Sequence, residues 1–190
     1  DAIDLKAKVV CEGGNLGFTQ KARIEYALKG GKINIDGIDN AGGVNTSDHE
    51  VNLKILLNII QNKGIICQEE NKKILEGLKE QVVNLVLWNN YEQALAISRD
   101  EYLSLKYING FMGAVKVLED NTLFNRHDFY IPKNENFHEI LNKNGSIVRP
   151  ILSNLLSYSK IFMKAMLLKS NLIDENLCVQ YLYKYFPKSF

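Results

Sequence analysis

The chain has 190 residues, three cysteines and a formal net charge of +1. That length accommodates one domain or two small ones with a real core. Acids and bases are mixed along it, so it offers no electrostatic footprint for nucleic acid or an anionic membrane; no basic leader with a short apolar run and no stretch of about 18 uncharged apolar residues is visible, so neither a secretory signal nor a membrane span is expected.

Asp1 to Lys6 carries no helix-start signal and leads into Ala7-Lys8-Val9-Val10-Cys11, a short β-rich run flanked by glycines that predicts a strand. A chain that opens on an interior strand reads as a piece of something longer. Gly13-Gly14-Asn15-Leu16-Gly17 follows as a glycine loop. Thr19 is placed to cap a helix over 20–29, with Ala22, Ile24, Ala27 and Leu28 on or near its buried side. Gly30-Gly31 ends it. Lys32-Ile33-Asn34-Ile35-Asp36 alternates polar and apolar and predicts a second short strand.

Next comes Asp39-Asn40-Ala41-Gly42-Gly43-Val44-Asn45-Thr46-Ser47-Asp48-His49-Glu50. Gly42-Gly43 reads as a sharp turn or a close approach to a ligand. Ser47-x-x-Glu50 reads as a capping box, and Leu53, Leu56, Leu57 and Ile60 supply the apolar stripe of a helix to about residue 62. A glycine turn feeding a helix N-terminus suits a carboxylate or phosphate, although most such turns are plain connections. Strand, loop, helix, strand, turn, helix is an α/β order, and ligands of such sheets gather at strand carboxyl ends, where both glycine segments fall.

From Glu69 onward strand signals vanish. Ile74, Leu78, Val82, Leu85 and Val86 form a helical stripe toward Trp88, with a kink or break expected at Asn89-Asn90. Helices are predicted over 91–98, 100–119, 136–142 and 152–169. Asn144-Gly145 stops the third, and Pro150 marks the start of the fourth. Asp174 is placed to cap a last helix ending at Phe186-Pro187. Leu155, Tyr158, Phe162, Ala165 and Met166 form an apolar face interrupted by Lys160 and Lys164. It reads as a core helix with snorkelling lysines rather than a membrane-surface helix.

Cys11, Cys67 and Cys178 are far apart and form no C-x-x-C pair. Free thiols in a reducing compartment are expected, two or more of them buried. Cys11, at a strand end beside a glycine loop, is a candidate reactive thiol, though the plainer reading is inert. His49, His127 and His138 form no zinc pattern with the cysteines, so no metal site is expected.

Taken together, Glu12-Gly13-Gly14-Asn15 with Thr19, and Asn40-Ala41-Gly42-Gly43-Val44-x-x-Ser47-x-x-Glu50, resemble the glutamate dehydrogenases. The segment 47–52, Leu87-x-x-Asn90-Tyr91 and Leu155-Leu156-x-Tyr158-x-Lys160 are similar to the very large NAD-specific bacterial branch. Gly14 stands where the family usually has alanine, and Leu16-Gly17-Phe18 replaces the Gly-Pro-Thr of the small hexameric enzymes.

The resemblance implies a mainly α fold with a small α/β part. Residues 1–62 would be the last strand-loop-helix units of a Rossmann-like NAD-binding catalytic domain, and 63–190 an all-helical region. It implies cofactor contacts at Gly13, Gly14, Asn15 and Asn40, the two asparagines lying near the nicotinamide ribose. Amides supply both the donors and the acceptors that a ribose diol needs. It places Val44 against the methylenes of L-glutamate and the Ser47 hydroxyl on its side-chain carboxylate.

The G-x-G-x-x-G fingerprint, the lysine-rich substrate motif and the family's catalytic lysine and aspartate are not in this sequence, so no catalytic residue is assigned and activity of the chain alone is not expected. The implied partners are L-glutamate or 2-oxoglutarate, the rest of a parent polypeptide, and further copies in a cytoplasmic homo-oligomer, with no nucleic acid or membrane. A non-catalytic helical module for assembly or regulation is the competing reading. A simple nucleotide-binding protein is the third.

Overall fold

The computed structural model describes residues 2–190; Asp1, the first residue of the opening stretch, lies outside the described residues. The chain packs as two compact units. The first takes residues up to 40 together with 92–170, and the second takes 41–91 together with 171–190. The helices are α1 (Gln20–Leu28), α2 (Asp36–Asp39), α3 (Ala41–Asn62), α4 (Gln68–Ser104), α5 (Ile108–Asn121), α6 (Arg149–Lys169) and α7 (Asn176–Tyr185), with 3-10 turns at Arg126–Phe129, Asn134–Ile140 and Asn171–Asp174.

In the first unit, the two predicted strands are reduced to one isolated parallel bridge, Val9 with Lys32. Val10 N–H donates to the Lys32 carbonyl at 2.9 Å, and Lys32 N–H to the Lys8 carbonyl at 3.0 Å. Two bonds between two extended segments do not make a ladder, so among the described residues the fold is helical and the strand expectation is corrected. α1 connects the two segments as predicted. Thr19 caps it, its hydroxyl accepting from the Ala22 amide.

The C-terminus of α1 closes as a Schellman pair, Gly30 N–H to the Ala27 carbonyl and Gly31 N–H to the Tyr26 carbonyl. Gly30 sits at φ +101°, which a side chain would resist. Gly31 is needed for a different reason. The Tyr26 ring lies where its Cβ would be, 2.3 Å from the nearest ring carbons, and the Tyr26 hydroxyl is anchored on the Ala7 carbonyl.

Ile97, Val115, Ile147, Ile151 and Leu152 form the fully enclosed centre of this unit. Phe124, Phe129 and Tyr158 pack on it with ring centroids 5.0 to 5.3 Å apart. The predicted helix over 100–119 is in fact broken after Ser104. The buried Ser104 hydroxyl accepts from the Ile147 amide at 3.0 Å while donating to the Glu101 carbonyl. The chain turns through 105–107 before α5 starts. Residues 134–140 take a 3-10 form rather than the expected α-helix. Gly145 turns at φ +84°, and α6 begins at Arg149 with Pro150 in its first turn.

In the second unit, Leu53 of α3 packs with Leu78, Val82 and Val86 of α4, joined by Phe186. Three expectations fail here. Ser47 and Glu50 are not a capping box, because α3 starts six residues earlier, at Ala41; a cap residue must be non-helical, and Glu50 instead pairs with Lys54. Gly42 and Gly43 are not a turn but the first turn of that helix, where the Asn90 amide packs 3.1 Å from the position a Gly42 Cβ would take. Asn89-Asn90 does not break α4, since both φ values are negative and a few tenths of a kcal/mol in propensity does not stop a packed helix.

Asp174 falls inside the 3-10 turn before α7, so it does not cap that helix. Glu175 holds the cap position, without a side-chain bond. The cysteines are free, but Cys11 and Cys67 are exposed and Cys178 is half-buried, so the burial expected of them is also corrected. No helix among the described residues is long and apolar enough to cross a membrane.

Candidate cofactor and substrate residues

The glycine loop leaves the Val9–Cys11 segment at a strongly held residue. Glu12 is buried, and its amide donates to Asp39 Oδ2 at 3.1 Å. Gly13 and Gly14 follow with no atom within 4 Å of an added Cβ and with φ outside the glycine-only region. The chain's own packing therefore does not demand glycine at these two positions. What glycine leaves there is bare backbone that an outside group can approach closely.

Asn15 comes next, and the structure brings it to Asn40, 25 residues away. Asn40 Nδ2 donates to Asn15 Oδ1 at 3.1 Å. One such bond leaves the Asn15 NH2 and the Asn40 carbonyl oxygen with capacity for a further partner. Leu16 then adopts the left-handed conformation at φ +62° with its side chain 86% exposed. That conformation costs a non-glycine residue about 1–2 kcal/mol.

The residues holding this loop escaped the sequence reading. Arg23 on α1 donates through Nε to Glu12 Oε1 at 2.6 Å and through Nη2 to Glu12 Oε2 at 2.8 Å. The same Nη2 lies 3.3 Å from Asp36 Oδ1. Glu12 Oε2 also accepts from the Phe18 amide, and Asp36 Oδ2 from the Leu16 amide at 2.8 Å. Hydrogen bonding to Glu12 outweighs burial and holds the Arg23 guanidinium charged. Burial pushes the Asp36 carboxyl up, but the Leu16 amide and Arg23 together hold it below its ordinary value. One signal was available in the sequence: an arginine beside Ile24 on the apolar side of a helix needs a buried counter-charge, and Glu12 stood just before the loop.

Although Cys11 is exposed, slight desolvation, reinforced by Asp39 and Glu12, raises its pKa and so disfavours the thiolate.

In the second unit, Val44 and Ser47 are three residues apart on α3 and so share one face. Both are exposed, Val44 at 76%. A β-branched apolar residue on the open side of a helix neither favours the helix nor packs within it, whereas it can line a site for an aliphatic chain. The next turn is tightly organised. His49 is 2% exposed and stacks on Tyr185 at 4.6 Å. The Tyr185 hydroxyl donates to Asp48 Oδ2 and accepts from Asn52 Nδ2. Among the described residues, neither ring nitrogen of His49 has a hydrogen-bond partner. Burial, only partly opposed by Asp48, lowers its pKa. Burial and the Asp48 bond push the Tyr185 phenol up to about 12.

The family model described as bacterial NAD-glutamate dehydrogenase, catalytic domain, matches residues 1–100, and that for the glutamate dehydrogenase C-terminal region matches 144–190. The NAD-specific glutamate dehydrogenase of Pseudomonas aeruginosa is 41% identical over 187 residues, that of Halomonas elongata 37% over 187, and that of Mycobacterium tuberculosis 33% over 189. Each alignment covers 98% of this chain and 12% of the relative, so the chain spans about an eighth of the curated relatives' length. With more than half its length matched by the catalytic-domain model, the chain belongs to the bacterial NAD-glutamate dehydrogenase family.

Proposed function

We propose that this chain is part of an enzyme that oxidatively deaminates L-glutamate with NAD and water, giving 2-oxoglutarate, ammonium, NADH and a proton. The observation that carries the reading is the pairing of Asn15 with Asn40 beside a bare glycine loop. Two amides held together in this way present matched donors and acceptors to a ribose diol. Gly13 and Gly14 let the cofactor approach the backbone. On α3, Val44 offers an apolar contact to the substrate methylenes, and the Ser47 hydroxyl donates to the side-chain carboxylate. When bound, NAD supplies the hydride acceptor. Chemistry at the substrate α-carbon then falls to groups outside this chain, and the chain by itself is inactive.

On the same reading, residues 1–62 are the carboxy-terminal part of the NAD-binding catalytic domain and 63–190 a helical domain of a cytoplasmic enzyme. The Rossmann-like assignment draws support from the parallel Val9–Lys32 bridge, whose two segments are connected through α1. The test is NADH formation by the full-length parent protein, wild type beside Ser47→Ala. Loss of a hydrogen bond to a charged group should raise the KM for glutamate about tenfold or more. An unchanged KM removes Ser47 from the substrate site, and no glutamate-dependent reduction of NAD removes the enzyme reading.

A second role is favoured by apolar side chains left open late in the sequence. Ile161, Met163 and Leu168 are exposed on α6, and so are Leu177, Leu182 and Tyr183 on α7. Faces of this kind serve assembly, with the rest of the parent polypeptide or in a homo-oligomer. Charged substitutions there, such as Leu168→Glu, should reduce the oligomer size of the parent in light scattering and leave the KM for glutamate unchanged.

A further inference from the structure

The Arg23 guanidinium is 7% exposed, on the inner side of a short helix. A charge in that position is tolerated only when paired and hydrogen-bonded. Its pairing is two-sided: Glu12 stands immediately before the glycine loop, and Asp36 stands after the segment that follows α1. Each carboxylate also grips the loop itself, Glu12 at the Phe18 amide and Asp36 at the Leu16 amide. The loop is therefore pinned at the residues on either side of Gly17, both pins leading back to one guanidinium.

What the pins hold is strained. Leu16 sits in the left-handed region, which leucine disfavours, with its side chain largely exposed. Asn15 is the residue just before that strained turn, and its amide faces Asn40. A shift at Leu16 moves Asn15 directly. Lysine at position 23 would keep the charge and lose the planar fork that reaches both carboxylates.

We propose that Arg23 is a positioning residue for the cofactor: through Glu12 and Asp36 it holds the Leu16 turn and so sets where the Asn15 amide is presented to the ribose. The inference rests on the reading of Asn15 as a cofactor contact, and on nothing in the substrate site.

The experiment uses the full-length parent enzyme with Asn15→Ala, Arg23→Lys, Asp36→Asn and the double variant Asn15→Ala/Arg23→Lys. NADH formation is measured with NAD varied at saturating glutamate, then with glutamate varied at saturating NAD. Arg23→Lys and Asp36→Asn should each raise the KM for NAD about fivefold or more, the factor that one hydrogen bond is worth, with the KM for glutamate within about twofold. The double variant should be no worse than Asn15→Ala, because residues acting through one another are not additive.

If Asn15→Ala raises the KM for NAD and Arg23→Lys and Asp36→Asn do not, the positioning role is overturned while the cofactor reading stands. If the two effects multiply in the double variant, or if both substrates' KM values rise together, Arg23 is a general staple and the proposal falls. If Asn15→Ala leaves the KM for NAD unchanged, the cofactor reading of Asn15 fails, and the proposal with it. Should Arg23→Lys not fold, Asp36→Asn decides the question, since its carboxylate is partly reached by solvent and tolerates loss of charge.

Discussion

Arg149→Met removes a junction that joins α6 to two other parts of the first unit. Arg149 Nε donates to Asn34 Oδ1 at 3.0 Å, and Nη1 to Ser98 Oγ at 3.0 Å and Glu101 Oε2 at 3.1 Å. Methionine keeps much of the apolar stem, so the loss is mainly of these bonds. A bond to a neutral acceptor is taken at about 0.5–1.5 kcal/mol and the one to the Glu101 carboxylate at about 1.5–3. Glu101 is 25% exposed, so water partly replaces its lost partner and places that term at the low end. The sum is about 2.5–4.5 kcal/mol, a large share of a typical domain stability of about 5–15. In urea the unfolding midpoint of the chain, followed by circular dichroism, should fall by roughly 1 M at unchanged slope. Asn34 also donates to Asp39 Oδ1, and Asp39 holds the Glu12 amide. The Glu12 amide should therefore exchange hydrogen faster in the variant. A midpoint shift below about 0.3 M would show that water replaces all three bonds and would refute the reasoning.

Gly31→Ala should destabilise the chain by about 2–4 kcal/mol, from displacing the buried Tyr26 ring and straining its bond to the Ala7 carbonyl. Urea unfolding reads this directly, and in a Tyr26→Ala background the further cost of Gly31→Ala should nearly vanish; equal costs in both backgrounds would exclude the ring as the cause. His49 is held below its ordinary pKa, so in the unfolded chain it takes up a proton at higher pH than in the folded one. Stability should thus begin to fall as pH drops through about 6.5, before the carboxylates titrate. His49→Phe, which keeps the stack on Tyr185, should flatten the loss between about pH 7 and 5. Parallel decline of wild type and variant would rule His49 out.

Much of the helical region was legible because its signals are local. Thr19 caps α1 and Gly30 ends it, since a cap depends only on residues within one turn. Ser47-x-x-Glu50 misled for the same reason. The pattern is a cap only if the backbone before it is non-helical, and the packing of Asn90 against Gly42 accompanies a helix already begun at Ala41. The break after Ser104 was invisible, because its partner is the Ile147 amide, 43 residues on.

For the candidate site, the residue types were readable and their arrangement was not. The sequence by itself determined the two motifs, the bare backbone of Gly13-Gly14, and the family. The motifs are local in the chain, and the family resemblance rests on them. Only the tertiary structure decided that Asn15 meets Asn40, that Arg23 sits between Glu12 and Asp36, and that the predicted strands amount to one bridge. Each of these depends on which distant segments share a core, and burial makes a polar side chain choose its partner by proximity in space rather than along the chain.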